Sequence, residues 1–188
     1  MRDLFKKYIQ GKRVMIIFAF TNLVYLVMLL ITIPHVMHYS HGMDLFDMMP
    51  AGYDAGYAHT LLNALGADGR NAYMQIQLPV DMIYPFLFGL TYSLMLAYFL
   101  YKLSWIDKPI FVMVFFPIVT ALFDYAENIG IFSMLHAYPD FSTRTAAALS
   151  LLTIIKSALS TVSFLMLLSL VVIFLVRRMK SLTMHYRQ

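Results

Sequence analysis

Four apolar stretches constrain this chain more than any other feature. Residues 14–33, 79–101, 109–135 and 146–176 each hold roughly 20 or more mostly apolar positions, the length an α-helix needs to cross ~30 Å of hydrocarbon. At 61% hydrophobic and 13% charged residues, the 188-residue sequence is too oily for an ordinary soluble domain. The expectation is an all-α integral membrane protein, a four-transmembrane-helix bundle forming a single domain over 1–188. The basic start "MRDLFKKYIQGKR" ahead of the first apolar run resembles a signal peptide, but the run is too long for one and lacks a small-residue cleavage site, so it reads as a retained anchor.

Several chemistries are excluded at once. The chain contains no cysteine, which rules out disulfides, thiolate metal sites and thiol redox catalysis. All six histidines fall outside the four spans, so paired axial ligands for a haem between helices are missing. Basic residues then set an orientation, because loops rich in Lys and Arg stay in the cytoplasm. Arg2, Lys6, Lys7, Lys12 and Arg13 precede the first span, Lys102 and Lys108 lie in the second connection, and Arg177, Arg178, Lys180 and Arg187 follow the fourth span; the opposite connections carry only Arg70 and Arg144. Both termini are expected to be cytoplasmic. The lack of a transit peptide and the compact form point to a bacterial inner membrane. The net charge of +4 reads as an orientation signal and a contact for anionic lipid, with no nucleic-acid partner implied.

The first outer connection, 34–78, is too long to be a plain turn. Within it "YDAGYAHTLLNALG" puts Tyr57, Leu61, Leu62 and Leu65 on one helical face and stops on Gly66, which predicts a short amphipathic helix roofing the bundle. Pro34 is expected to close the first span, Pro79 and Pro109 to sit in first helical turns, and Ser142 or Thr143 to cap the fourth span. No internal repeat is visible, which argues against a transporter built from inverted repeats within one chain.

The stretch "ALFDYAENIGIF" places Asp124, Glu127 and Asn128 at spacing i, i+3, i+4, on one side of the third helix. Thr153, Lys156, Ser157, Ser160 and Thr161 form a matching stripe on the fourth. Measured from the basic end of each helix at ~1.5 Å per residue, Asp124 lies roughly 23 Å along, Glu127 about 27 Å, and Asp81 and Lys156 each about 30 Å, so four ionisable groups share one layer. An unpaired charge in the membrane costs about 2.5 to 3.5 kcal/mol on insertion scales, which predicts pairing of Lys156 with Asp124 or Glu127. Arg70 is within reach from above, and Tyr84 lines the second helix. Interhelical hydrogen bonding accounts for any single Ser or Thr. It does not require four ionisable groups in one layer, and Asp81 is the weakest of them because a carboxylate in a first helical turn also suits the helix dipole.

The expected site is therefore an outward-facing ionisable pocket that binds or modifies an amphiphilic or lipid-like ligand. Were it catalytic, Asp124 and Glu127 would act as acid and base beside Lys156, with Asp81, Tyr84, Asn128, Arg70, Ser157 and Ser160 binding the ligand. Two other readings stand beside it: a small proton- or cation-coupled transporter, which would need a homo-oligomer to build a pathway, and a noncatalytic assembly partner in the membrane. Claudins and other tetraspan proteins share this topology, but their disulfide cysteines and tryptophan pattern are missing, so nothing of their function is carried over. No organic cofactor is implied. In "PHVMHYSHGMDLFDMM" the three-residue spacing of His35, His38 and His41, with methionines nearby, suits copper chemically, but it matches no familiar metal motif.

Overall fold

A computed structural model describes residues 8–185, so Arg2, Lys6, Lys7 and Arg187 lie outside the described residues. Those residues form helices and turns with no β-strand. Four helices are long and apolar enough to cross a membrane: α1 (Gly11–Tyr39), α2 (Ala55–Lys102), α3 (Pro109–Ala137) and α4 (Thr143–Ser181). The chain is thus a helical membrane protein in its coarse architecture.

The C-terminal half of α2, Tyr84–Lys102, is the hub, packing against α1, α3 and α4 in turn. Close approach is purchased with small residues. Gly89 sits against Ala121 and the Pro117 carbonyl of α3, and a β-carbon at Gly130 would lie 1.8 Å from Leu149 Cδ2 of α4. By contrast, α1 packs along α2 and makes no comparable helix contact with α4. That leaves a gap in the wall of the bundle.

Two apolar clusters divide the molecule. At the end that bears the termini, Leu96, Leu100, Val114 and Leu170 pack into a dry plug, with Trp105 between Lys108 and Arg177 at its edge. At the far end, Leu45, Phe46, Leu61, Leu62, Ile131 and Met134 form the second cluster.

The helices run farther than the apolar patterning indicates. Pro34 does not end α1, which continues to Tyr39, and α2 begins well before Pro79. Each proline follows a wide π turn, Met28–Thr32 or Tyr73–Gln77, in which the amides of Ile33 and Leu78 reach back to the carbonyls of Met28 and Tyr73. Widening the turn accommodates a ring that lacks an N–H and would otherwise strike the carbonyl four residues back. Within α2 the segment Ala55–Ala72 starts on Asp54, whose carboxyl accepts from the Tyr57 amide at 2.7 Å, and breaks at Gly66, where φ is 61°. Its Leu61, Leu62 and Leu65 are buried against the far ends of α3 and α4. Ser142 caps α4 by accepting from the Thr145 amide at 3.1 Å.

Candidate functional site

The gap between α1 and α4 opens into a cavity of about 500 Å³. Asn22, Tyr25 and Met28 of α1 form one wall, Asp81, Tyr84 and Tyr92 of α2 the back, and Asp124 of α3 with Lys156, Ser160 and Phe164 of α4 the other wall. Tyr25 and Phe164, at the two sides of the opening, are 43% and 45% exposed, so the cavity communicates with the lateral surface of the bundle. Toward the termini it is closed by the dry plug.

The geometry brings the charged layer together. Lys156 Nζ lies 3.3 Å from Asp124 Oδ1 and also pairs with Glu127 Oε2. Glu127 is fully buried behind this ammonium and accepts from the Thr153 hydroxyl. Its carboxyl does not line the cavity, so of the two acids only Asp124 faces the open space.

Asp81 is held by a backbone device. Pro85, four residues on, has no N–H to return to the Asp81 carbonyl, and α2 is interrupted at Met82 and Ile83. Asn128 Nδ2 supplies the missing donor at 3.1 Å. Buried carbonyls require a partner, so this contact ties the break in α2 to α3 and fixes where the Asp81 side chain emerges. Asn128 acts on the site through the backbone and does not line the cavity.

The remaining expected residues are dispersed. Ser160 lines the cavity, whereas Ser157 does not. Arg70 is directed elsewhere: it donates to the Leu62 carbonyl at 2.8 Å, and its guanidinium lies 4.2 Å from the centre of the Tyr138 ring. It therefore pins the Gly66 break to the α3–α4 turn. His35 and His38 pack edge-on to Tyr39, and among the described residues no three His, Asp or Glu side chains, His41 included, gather closely enough to hold a metal ion.

A component absent from the sequence expectation comes from the connection 40–54. Leu45 and Phe46 are fully buried, and Phe46 packs on the rings of Tyr53 and Tyr73. This turn delivers Asp47 and Met48 to the cavity. Asp47 accepts from the Tyr73 hydroxyl at 2.9 Å and from Gln77 Nε2 at 3.5 Å, and Gln77 in turn accepts from Thr32. The two π turns thus face each other and build a polar bridge above the cavity. The other end of the connection is anchored on α4, where Ser150 Oγ accepts from the Tyr53 amide at 2.8 Å. Gly52 allows that contact, since its φ is +82° and a β-carbon would lie 2.6 Å from Ser150 Oγ. Burial, reinforced by the nearby Glu127 carboxyl, pushes the Tyr53 phenol above its usual range, so it stays neutral. The acidic, apolar run "DLFD" with Gly52 behind it was the available signal, and no helical periodicity marks it.

Chemically, the arrangement offers a cavity with an apolar aromatic wall, the three carboxyls of Asp47, Asp81 and Asp124, and one ammonium already engaged by Asp124 and by Glu127 behind it. Comparison with protein-family models, with curated proteins and with solved structures finds no match.

Proposed function

We propose that this membrane protein binds an amphiphilic, lipid-like ligand in the cavity between α1 and α4. The observation that carries this reading is the lateral gap: an apolar body in the bilayer can reach a polar floor without crossing the bundle. The basic residues at the terminus-bearing end support an orientation with both termini cytoplasmic, which turns the cavity toward the outer leaflet. The helix Ala55–Ala72 and the connection 40–54 then form its outer cover.

The dry plug speaks against a transport pathway, because Leu96, Leu100 and Val114 separate the charged layer from the terminus-bearing end. Binding is favoured over acid–base catalysis because Glu127 is enclosed behind Lys156. Native mass spectrometry of the full chain extracted in mild detergent tests the reading. A stoichiometric amphiphile adduct that is lost in Asp124→Asn, with the fold retained, is the expected result; full retention of the adduct in that variant would rule out the assignment.

A further inference from the structure

The geometry points to an organic cation as the ligand: a monovalent ammonium-type headgroup on an apolar body, received by Asp81 and the aromatic wall. This inference rests on the pocket reading above and specifies its chemistry.

The first argument is charge. Asp47, Asp81 and Asp124 line the cavity and Glu127 stands behind, against Lys156 alone. That lysine is held between Asp124 and Glu127, and Arg70 is committed to Leu62 and Tyr138. A phosphate or carboxylate headgroup entering here would meet carboxyls and no uncommitted cation. A cation would meet the opposite field.

The second argument is an unanswered side chain. Asp81 is 3% exposed and lines the cavity, yet among the described residues no hydrogen bond or ion pair reaches its carboxyl. Asp47 is answered by Tyr73 and Gln77, and Asp124 by Lys156. An ionisable group at membrane depth pairs, meets water or marks a functional site. Asp81 lines the cavity that holds the aromatic wall, and the Asn128 contact to the Asp81 carbonyl holds it there.

The third argument is the wall. Tyr25 and Tyr84 lie 5.6 Å apart, Phe88 and Tyr92 4.4 Å, and Tyr92 and Phe164 5.1 Å with perpendicular rings. Ring faces attract ammonium groups, more strongly once water is excluded. They also accept an alkyl body. A bare metal ion would find no such use for the rings, and the acids are too dispersed to hold one.

Three probes with one tail separate the possibilities: dodecyltrimethylammonium, dodecanesulfonate and dodecanol. Their binding to the full chain in phosphatidylcholine nanodiscs is measured by equilibrium dialysis, with empty discs as the blank. The ammonium is expected to bind saturably, one per chain, about tenfold or more tighter than the other two, ~1.4 kcal/mol or greater. Asp81→Asn should reduce its affinity to that of dodecanol and leave dodecanol unchanged. If the sulfonate binds as tightly as the ammonium, or Asp81→Asn has no effect, the cation assignment is overturned. Saturable binding of dodecanol and sulfonate without the ammonium would keep the pocket and remove the cation; no saturable binding by any probe would remove both. Should Asp81→Asn fail to fold, the order of the three probes on the native chain still decides.

Discussion

The two halves of the bundle are built on different rules. Toward the termini, Tyr84–Lys102 runs as a regular helix, side chains such as Leu96 and Leu100 are fully buried, and the polar contacts inside the plug are single hydroxyls such as Thr21 on Thr91, with Arg177 and Lys108 kept at its edge on Trp105. In the far half α1 widens before Pro34, and α2 widens before Pro79, breaks at Met82 and Ile83, and kinks at Gly66. Irregular backbone at membrane depth is tolerated where protein or a cavity satisfies the freed groups. Here the freed groups are answered by Asn128, and the polar side chains that the wide turns expose answer one another. The lesson is that in the far half the two wide turns and the break at Met82 and Ile83 each bring a polar group to the same space, whereas the Gly66 kink and the 3₁₀ start of α3 at Pro109–Phe115 serve packing instead.

The comparison is broken most severely at Lys156. Lys156→Met leaves Asp124 and Glu127 beside each other with no cation, and removing one partner of a buried ion pair costs about 3 to 5 kcal/mol. Thermal unfolding in nanodiscs should show the largest loss of any single change named here. Restoring neutrality in the triple variant Lys156→Met, Asp124→Asn, Glu127→Gln should recover most of the stability and none of the ligand binding. If the single variant unfolds like the parent, the charged layer is solvated and not a buried network.

Gly130→Ala sharpens the same boundary from the packing side. The new methyl would collide with Leu149, itself almost fully buried, and overpacking of this kind costs about 1 to 3 kcal/mol. Because Gly130 and Leu149 lie one helical turn from Glu127 and Thr153, the variant should also lose ligand affinity as α3 and α4 separate. A matching Gly89→Ala, where the nearest atom is Ala121 Cβ at 3.2 Å, should shift the melting temperature less.

Much of the charged layer was legible because helix spacing and depth are both readable along a sequence. Asp124, Glu127 and Lys156 each follow from a 3.6-residue period counted from a basic boundary, and Lys156 indeed lies between the two acids. The helix ends were less legible. Pro34 read as a stop and Pro79 as a first-turn residue because a proline removes a donor, and nothing local announces a π turn that absorbs it. Arg70 was legible as an outer cation but not as the tie between Leu62 and Tyr138, since that contact depends on the kink at Gly66. Asp47 was invisible as a site residue. Its position comes from Leu45 and Phe46 turning inward in a non-periodic connection, a tertiary fact with no periodic trace.

Asn128→Leu separates positioning from contact. It removes the donor to the Asp81 carbonyl, leaving a buried acceptor unpaired at about 1 to 3 kcal/mol, while the side chain itself is outside the cavity lining. The expected result is a moderate fall in melting temperature with a large fall in ammonium binding and little change for dodecanol. Asn128→Gln, which keeps a donor on a longer arm, should restore part of the binding. Equal losses for the ammonium and dodecanol would mean that Asn128 supports the helix break without aiming Asp81.

The smallest expected effect belongs to the dry half. Thr21 and Thr91 share a 2.6 Å hydrogen bond between α1 and α2, and Thr21 also donates to the Ile17 carbonyl of its own helix. Interhelical hydrogen bonds of this kind average about 0.6 kcal/mol, because the separated helices find other partners for the same groups. Thr21→Val keeps the volume and removes the hydroxyl, so the melting temperature should move by a degree or two at most by this reasoning. Ligand binding should be unchanged, since neither threonine lines the cavity. The two halves would then respond to the same kind of change, loss of one polar contact, with different readouts: stability alone near the termini, and stability together with recognition at the far end. A loss of ammonium binding in Thr21→Val would show that α1 must stay docked on α2 for the gap to hold its shape, and would extend the site into the half that otherwise only supports it.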